Sequence, residues 1–439
     1  MTTPIFDFIK AYSERKSTRF HMPGHKGVSQ LGCESFDITE ISGADVLYSA
    51  DGIIHASECN LSSIYGTSHS FYSTEGSTLA IKAMLALVSE REGDGRPLIL
   101  AARNVHAAFV RAAALLDLDV RFIYPGEAQH LCTCLISADD VEREIRLSTV
   151  KPSAVYITSP DYLGKIQDIK AISRVCKAYG IPLLVDNAHG AYLKFLDNDI
   201  HPISLGAAMC ADSAHKTLPV LTGGAYLHIS LDYPEYAERA RGALSLFAST
   251  SPSYLTLSSL DLCNKRLAGD YPDKIKSLAE KVTVIREKIV DAGLSVCESE
   301  PLKIVINEGD GLASHLREND IEVEFSDGDY TVLMLTPEND DGDFDRLLSA
   351  IMIYNPSGEK RGIPSVKPHE SSLSIRQAVL SPSEIISVDK ALGRISAAPT
   401  VSCPPAVPIV VSGERITEED IELFKYYGIN RVSVIKTDF

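Results

Sequence analysis

A lysine set just past a strand and preceded by Ser-x-His is placed to act as a nucleophile. In ADSAHKTLPVLTGG (211–224), Lys216 follows an apolar run and Ser213-Ala214-His215, and it precedes a glycine-softened turn. At the carboxyl end of a sheet, beside a polar or cationic histidine, a lysine can lose its proton and condense with an aldehyde. A surface lysine after a strand is the alternative reading. Upstream, LLVDNAHGAY (183–192) ends an apolar strand in Asp186 and continues through Asn187, Ala188, His189 and Gly190. A carboxylate is costly to bury without a partner, and a protonated pyridine nitrogen would supply one and stay cationic. The alternative is an aspartate that caps the next helix or turn.

Two further runs have chemistry of the same kind. YSTEGSTLAIKAML (72–85) opens a helical pattern at Gly76-Ser77-Thr78, where backbone N–H groups and two hydroxyls make a cup for a phosphate. A plain Ser/Thr N-cap explains the same residues. ARNVHAAF (102–109) puts His106 just beyond an apolar strand, where a flat imidazole can stack on a flat ring or simply cap a helix.

Elements must position these side chains. Short apolar runs at 98–102, 120–124, 154–159, 181–186 and 225–230 alternate with amphipathic stretches such as DIKAISRVCKAYG (168–180). That alternation predicts an α/β domain whose mostly parallel sheet is covered on both faces, with ligands beyond the carboxyl ends of the strands. After a Pro-containing turn near Tyr271-Pro272, a helix pattern (273–292) leads to KIVIN (303–307), a helix near 311–319, IEVEF (321–325), TVLMLT (331–336) and a helix at 342–353, an α+β order. A linker composition fills 355–372. Beyond it, Ser381-Pro382-Ser383-Glu384 reads as a capping box, and Thr417 with Asp420 as the start of another helix. The expected division is an N-terminal arm (1–45), a large domain (46–270), a small α+β domain (271–355) and a C-terminal domain (356–439).

Composition narrows the function classes. The net charge of −17 is spread along the chain without a basic block, which argues against nucleic acid as a partner. No window approaches the ~20 apolar residues of a membrane span, and the N-terminal stretch has no signal-length apolar run. A cytoplasmic protein is expected. The nine cysteines lack paired spacing and read as reduced thiols. Cys132 and Cys134 stand close, but no second pair or histidine cluster adjoins them in sequence, so no metal is expected.

The order phosphate cup, histidine, aspartate, lysine resembles the Orn/Lys/Arg decarboxylase family of pyridoxal-phosphate enzymes. So do RFHMPGHKG (19–27), SPDYLG (159–164), STSPSYLTLSSLDLCNKRLA (249–268), IEVEFSD (321–327) and CPPAVPIVVSGERI (403–416), which extends the likeness over nearly the whole chain. The resemblance implies a fold type I large domain of the aspartate-aminotransferase kind and a two-fold homodimer, with Ser249 to Ser253 near a neighbour's cofactor. It implies decarboxylation of arginine, lysine or ornithine to a polyamine-type amine and CO2. An aminotransferase or lyase on the same fold, or a catalytically idle regulator, is the alternative.

By resemblance, Lys216 carries pyridoxal 5'-phosphate, and Asp186 holds its ring nitrogen between His106 and Ala188. Gly76, Ser77, Thr78, Ser213 and His215 bind its phosphate, and His189 lies near the reacting carbon. Glu324 and Asp327 match the family's acidic substrate positions; the period of two puts Glu322 and Glu324 on one face of a short strand, with a solvated acidic edge as the alternative. Two departures bear on substrate choice: Pro219-Val220 and Gly223 stand where the family has small residues and a glutamine, and Asn187 replaces its usual glutamate.

Overall fold

Apolar runs of four or five residues can be buried on both faces only as central strands of a covered sheet. In a computed structural model, which describes all residues except 91–94, 127–128, 357–365, 402–405 and 438–439, most of them are placed so, whereas the run at 120–124 forms an edge strand in which only Ile123 is buried. The strands are β1 (His69–Ser73), β2 (Leu98–Ala102), β3 (Asp119–Ile123), β4 (Ala154–Thr158), β5 (Leu183–Asp186), β6 (Met209–Asp212) and β7 (Ala225–Ile229). They form one sheet in the order β1-β7-β6-β5-β4-β2-β3. Strand β2 runs parallel to β3 and β4, and β5 parallel to β6, while β7 runs antiparallel to β1 and β6. The fold is α/β of the fold type I kind, with every residue of β2, β5, β6 and β7 buried.

The chain forms two units, each drawn from separate stretches. The first combines Met1–Val88 with Pro182–Lys276, and the second Ser89–Ile181 with Ser277–Phe439. Helices α1 (Pro4–Glu14), α2 (Ile53–Tyr65) and α3 (Gly76–Leu87) belong to the first unit; α4 (Ala107–Leu116), α5 (Ala138–Leu147) and α6 (Ile169–Ala178) to the second. A one-turn helix, α7 (Ala214–Thr217), carries the lysine. The N-terminal residues are fastened within their unit, because Asp261 accepts hydrogen bonds from the N–H groups of Ile5 and Phe6 at 2.9 and 3.0 Å at the start of α1.

The second unit also holds an antiparallel sheet, order β10-β11-β9-β8, made of β8 (Val296–Cys297), β9 (Lys303–Ile306), β10 (Phe325–Ser326) and β11 (Thr331–Met334). Helices Asp310–Glu318 and Asp341–Met352 lie where the periodicity puts them. Pairs β12 (Ser383–Ser387) with β15 (Arg431–Ile435) and β13 (Thr400–Val401) with β14 (Pro408–Val410) follow. Leu131, Ile409, Leu423, Phe424 and Val434 form an apolar cluster of this unit.

Three local expectations need correction. Of IEVEF only Phe325 is in a strand, β10, because residues 321–324 lack a ladder partner apart from the Glu324 N–H, which donates to Val332 O at 3.0 Å. The Ser381 to Glu384 box starts no helix: Ser383–Ser387 pairs with β15, and the run Ile385-Ile386 is β-branched, so the sheet ladder outcompetes a cap. Pro272 lies in the first turn of helix Tyr271–Asp291 rather than in a preceding turn, a position where its missing N–H costs no helical bond. Thr417 and Asp420 do form the capping box that opens helix Glu418–Tyr426. Half of the linker, residues 357–365, and Cys403 lie outside the described residues.

Candidate active site

The parallel pair β5–β6 delivers two aspartates to the same end of the sheet, Asp186 opposite Ala211 and Asp212 one residue on. Asp186 is 2% exposed, and its Oδ1 accepts from the Ala188 N–H at 3.2 Å, which turns the chain toward His189. Asn187 donates its N–H to Ala211 O and its side-chain amide to Asp212 Oδ1 at 2.8 Å. Here the amide supplies a donor that the family's usual glutamate, when ionised, would lack. Asp212 is fully buried between His201 Nε2 at 2.9 Å and His228 Nε2 at 3.3 Å. Burial alone would raise its pKa, but the two histidines outweigh that and hold the carboxyl well below the ordinary range. Sequence reasoning passed over Asp212, although it ends an apolar strand as Asp186 does.

One residue past Asp212, Ser213 donates to Ser77 Oγ at 2.7 Å and so ties the lysine turn to the start of α3. Helix α3 begins without a side-chain cap from Glu75, which removes the N-cap reading of this motif. The Gly76 N–H instead donates to Gly223 O at 2.7 Å. Gly223 has φ +93°, and a Cβ there would stand 2.7 Å from Thr74 O, so the departure from glutamine is dictated by a left-handed turn against backbone. Glu75 is occupied elsewhere, accepting from the Ser249 N–H at 2.8 Å. His215 uses its backbone N–H and its Nδ1 on Gly224 O, at 3.1 and 2.9 Å.

Lys216 is half-buried, and its Nζ lies 3.0 Å from Nε2 of the buried His189. One unit thus gathers Gly76, Ser77, Ser213, Lys216 and His189, with Asp186 and Ala188 in the same β5 turn. Together they offer hydroxyls at a helix start, an amine beside an imidazole, and a buried carboxylate: a set that fits an aldehyde cofactor with a phosphate and a basic ring nitrogen.

A profile described as Orn/Lys/Arg decarboxylase, major domain, matches residues 3–309. The chain belongs to the Orn/Lys/Arg decarboxylase family. The family's C-terminal domain matches residues 361–434. This decarboxylase is 29% identical to arginine decarboxylase of Bacillus subtilis over 463 residues, covering 96% of this chain and 93% of that one. It is 28% identical to arginine decarboxylase of Bacillus anthracis over 469 residues, 96% and 92% of the two chains. In fold it resembles the lysine decarboxylase LdcF of Francisella novicida, with TM-score 0.81, 17% identity and coverage of 99% and 81%. The constitutive lysine decarboxylase of E. coli gives TM-score 0.80 at 18% identity, with coverage of 99% and 82%. No helix among the described residues is long and apolar enough to cross a membrane.

The second unit of the decarboxylase holds the remaining sequence candidates. His106 caps α4, its Nδ1 accepting from the Ala108 N–H at 3.0 Å, as the capping alternative has it. Its loop is splinted from both sides. Arg103, buried, donates to Pro408 O and Ile409 O at 2.9 Å each and pairs with Glu414 at 3.5 Å, while the Ala107 N–H donates to Ala406 O at 2.8 Å. Glu324 is exposed and accepts from the Tyr162 hydroxyl at 2.6 Å. Asp327 is buried and already engaged: Oδ1 accepts from the N–H groups of Asp329 and Tyr330, and Oδ2 lies 3.0 Å from His130 Nε2. Its hydrogen bonds are those of a turn former.

Proposed function

We propose that this decarboxylase binds pyridoxal 5'-phosphate through Lys216 and removes CO2 from arginine, lysine or ornithine, with arginine the first to test because relatives of full length are named for it. The observation that carries the reading is the 3.0 Å contact of Lys216 Nζ with His189 Nε2, in a turn tied through Ser213 to the Ser77 cup. When bound, the cofactor supplies an aldehyde for amine attachment and a cationic ring that takes up the electron pair left as CO2 departs.

The chain's own residues do the rest. The N–H groups at the start of α3, the hydroxyls of Ser77, Thr78 and Ser213, and His215 hold the phosphate. Asp186 keeps a proton on the ring nitrogen. Lys216 would be the amine that holds the aldehyde, and Lys216 or His189, linked by their 3.0 Å contact, would carry the proton for the α-carbon. Ala188 packs on one ring face; His106 on the other, and Glu324 or Asp327 at the distal cation of the substrate, rest on the family resemblance alone. The reading includes a cytoplasmic homodimer working in polyamine metabolism, with the arm, large, small and C-terminal domains bounded near residues 45, 270 and 355.

The test is to incubate the yellow protein with each basic amino acid and assay CO2, amine and keto acid, then to reduce it with borohydride and map the labelled peptide. CO2 and an amine, with label on Lys216, are expected. Keto acid as the main product, or label on another lysine, would overturn the reading.

A further inference from the structure

On the first unit, away from Lys216, α2 and β1 bring together three side chains that the decarboxylase chemistry does not use. His55 and Cys59 are four residues apart on α2 and so share a face, and His69 opens β1. One ring nitrogen of each histidine and the Cys59 sulfur all lie within 4.8 Å of one another. We propose that His55, Cys59 and His69 form a surface site for a thiophilic divalent metal of the zinc class, with water in the fourth position.

The donor set selects the metal. Two imidazoles and a thiolate suit zinc or its neighbours, whereas magnesium and calcium require oxygen ligands. The ligands are also held in advance. His55 Nε2 stands 3.5 Å from Cys59 Sγ, and the rings of His55 and His69 are stacked at 5.3 Å with 9° between planes. Behind them Glu58, buried, accepts from His69 Nε2 at 3.3 Å and from the Tyr72 N–H at 2.9 Å, and it pairs with Arg241. A carboxylate behind a coordinating histidine fixes its orientation and raises its basicity. Asp45 fixes the start of α2, its Oδ2 accepting from the N–H groups of Gly52 and Ile54 at 3.0 and 2.9 Å. Among the described residues Cys59 is the exposed cysteine, so the sulfur is reachable.

The site owes nothing to the cofactor. Chelator-treated holoenzyme titrated with Zn2+ in a calorimeter should bind one equivalent per chain at this site. Titration with Cd2+ should raise an ultraviolet cadmium–thiolate band that Cys59→Ser abolishes. His55→Ala should weaken Zn2+ binding by at least roughly tenfold. Zn2+ binding that is absent in the wild type, or equal in wild type, Cys59→Ser and His55→Ala, would overturn the proposal.

Discussion

An amide at position 186 keeps the size and one acceptor of the carboxylate but loses the charge that stabilises a proton on a ring nitrogen. Asp186→Asn should therefore fold, retain cofactor and lose rate in the chemical step, by roughly 10²–10³-fold for a group contributing about 3–4 kcal/mol to the transition state. Single-turnover kinetics measure this, and an unchanged rate constant would take Asp186 out of the mechanism. Gly223 tests the cup from the other side. An alanine there must adopt φ +93° and place its Cβ 2.7 Å from Thr74 O, which pulls Gly223 O away from the Gly76 N–H. A left-handed non-glycine residue costs about 1–2 kcal/mol, so cofactor affinity in Gly223→Ala should fall at least roughly tenfold once the clash is added. Fluorescence titration of the apoprotein reads it; an unaltered affinity would mean that the cup does not depend on this turn.

The element that carries His106 owes its place to a segment some three hundred residues away in sequence. Arg103→Met leaves the carbonyls of Pro408 and Ile409 without their donor and Glu414 buried without its guanidinium, a loss of about 3–5 kcal/mol for a broken buried pair. The expected outcome is a lower melting temperature, read by thermal denaturation; a melting temperature equal to that of the wild type would show that this buried pair does not hold its unit together. Little of this was legible in the sequence. The strand that ends in Asp186 was, because the Leu-Leu-Val before the aspartate is apolar throughout and the candidate carboxylate stands at its end. Asp212 was missed because its partners His201 and His228 come from elsewhere in the chain, and no local spacing announces them. The strand Ser383–Ser387 was misread because Ser-Pro-Ser-Glu satisfies the local rules of a helix start, while its pairing with Arg431–Ile435 is a long-range fact. Pairing decided the same way at Glu322 and Glu324, where the alternation of two is present and the ladder is not.

At the scale of the whole molecule, the two units each bury a carboxylate at odds with neutral pH. Asp161, in the SPDYLG loop, is 2% exposed with Oδ2 lacking a hydrogen-bond partner, and burial pushes its pKa to about 6 against the pull of the Lys165 N–H, Thr133 and Lys303. Asp261 in the other unit is likewise raised to about 6, by burial first. A carboxyl whose folded pKa exceeds its unfolded value holds its proton better when folded, so its contribution is fully present below the unfolded pKa and is lost as pH rises through about 6. For Asp161 the span from 3.8 to about 6 corresponds to a ceiling of about 3 kcal/mol. Asp161→Asn should thus gain melting temperature relative to the wild type as the buffer goes from about pH 5 to about pH 8. A difference that stays constant across that range would mean Asp161 does not titrate there. The interleaving of the units bears on how the enzyme is made. Ser77 and its partner Ser213 are 136 residues apart, and the first unit lacks its second stretch until Lys276 has been synthesised. During synthesis residues 1–88 therefore emerge long before their unit can close, and a segment belonging to the other unit follows them. The nascent chain passes through a stage in which β1 has no β7 to pair with and the apolar helix α3 has no sheet to cover, which makes this stretch a candidate for chaperone protection.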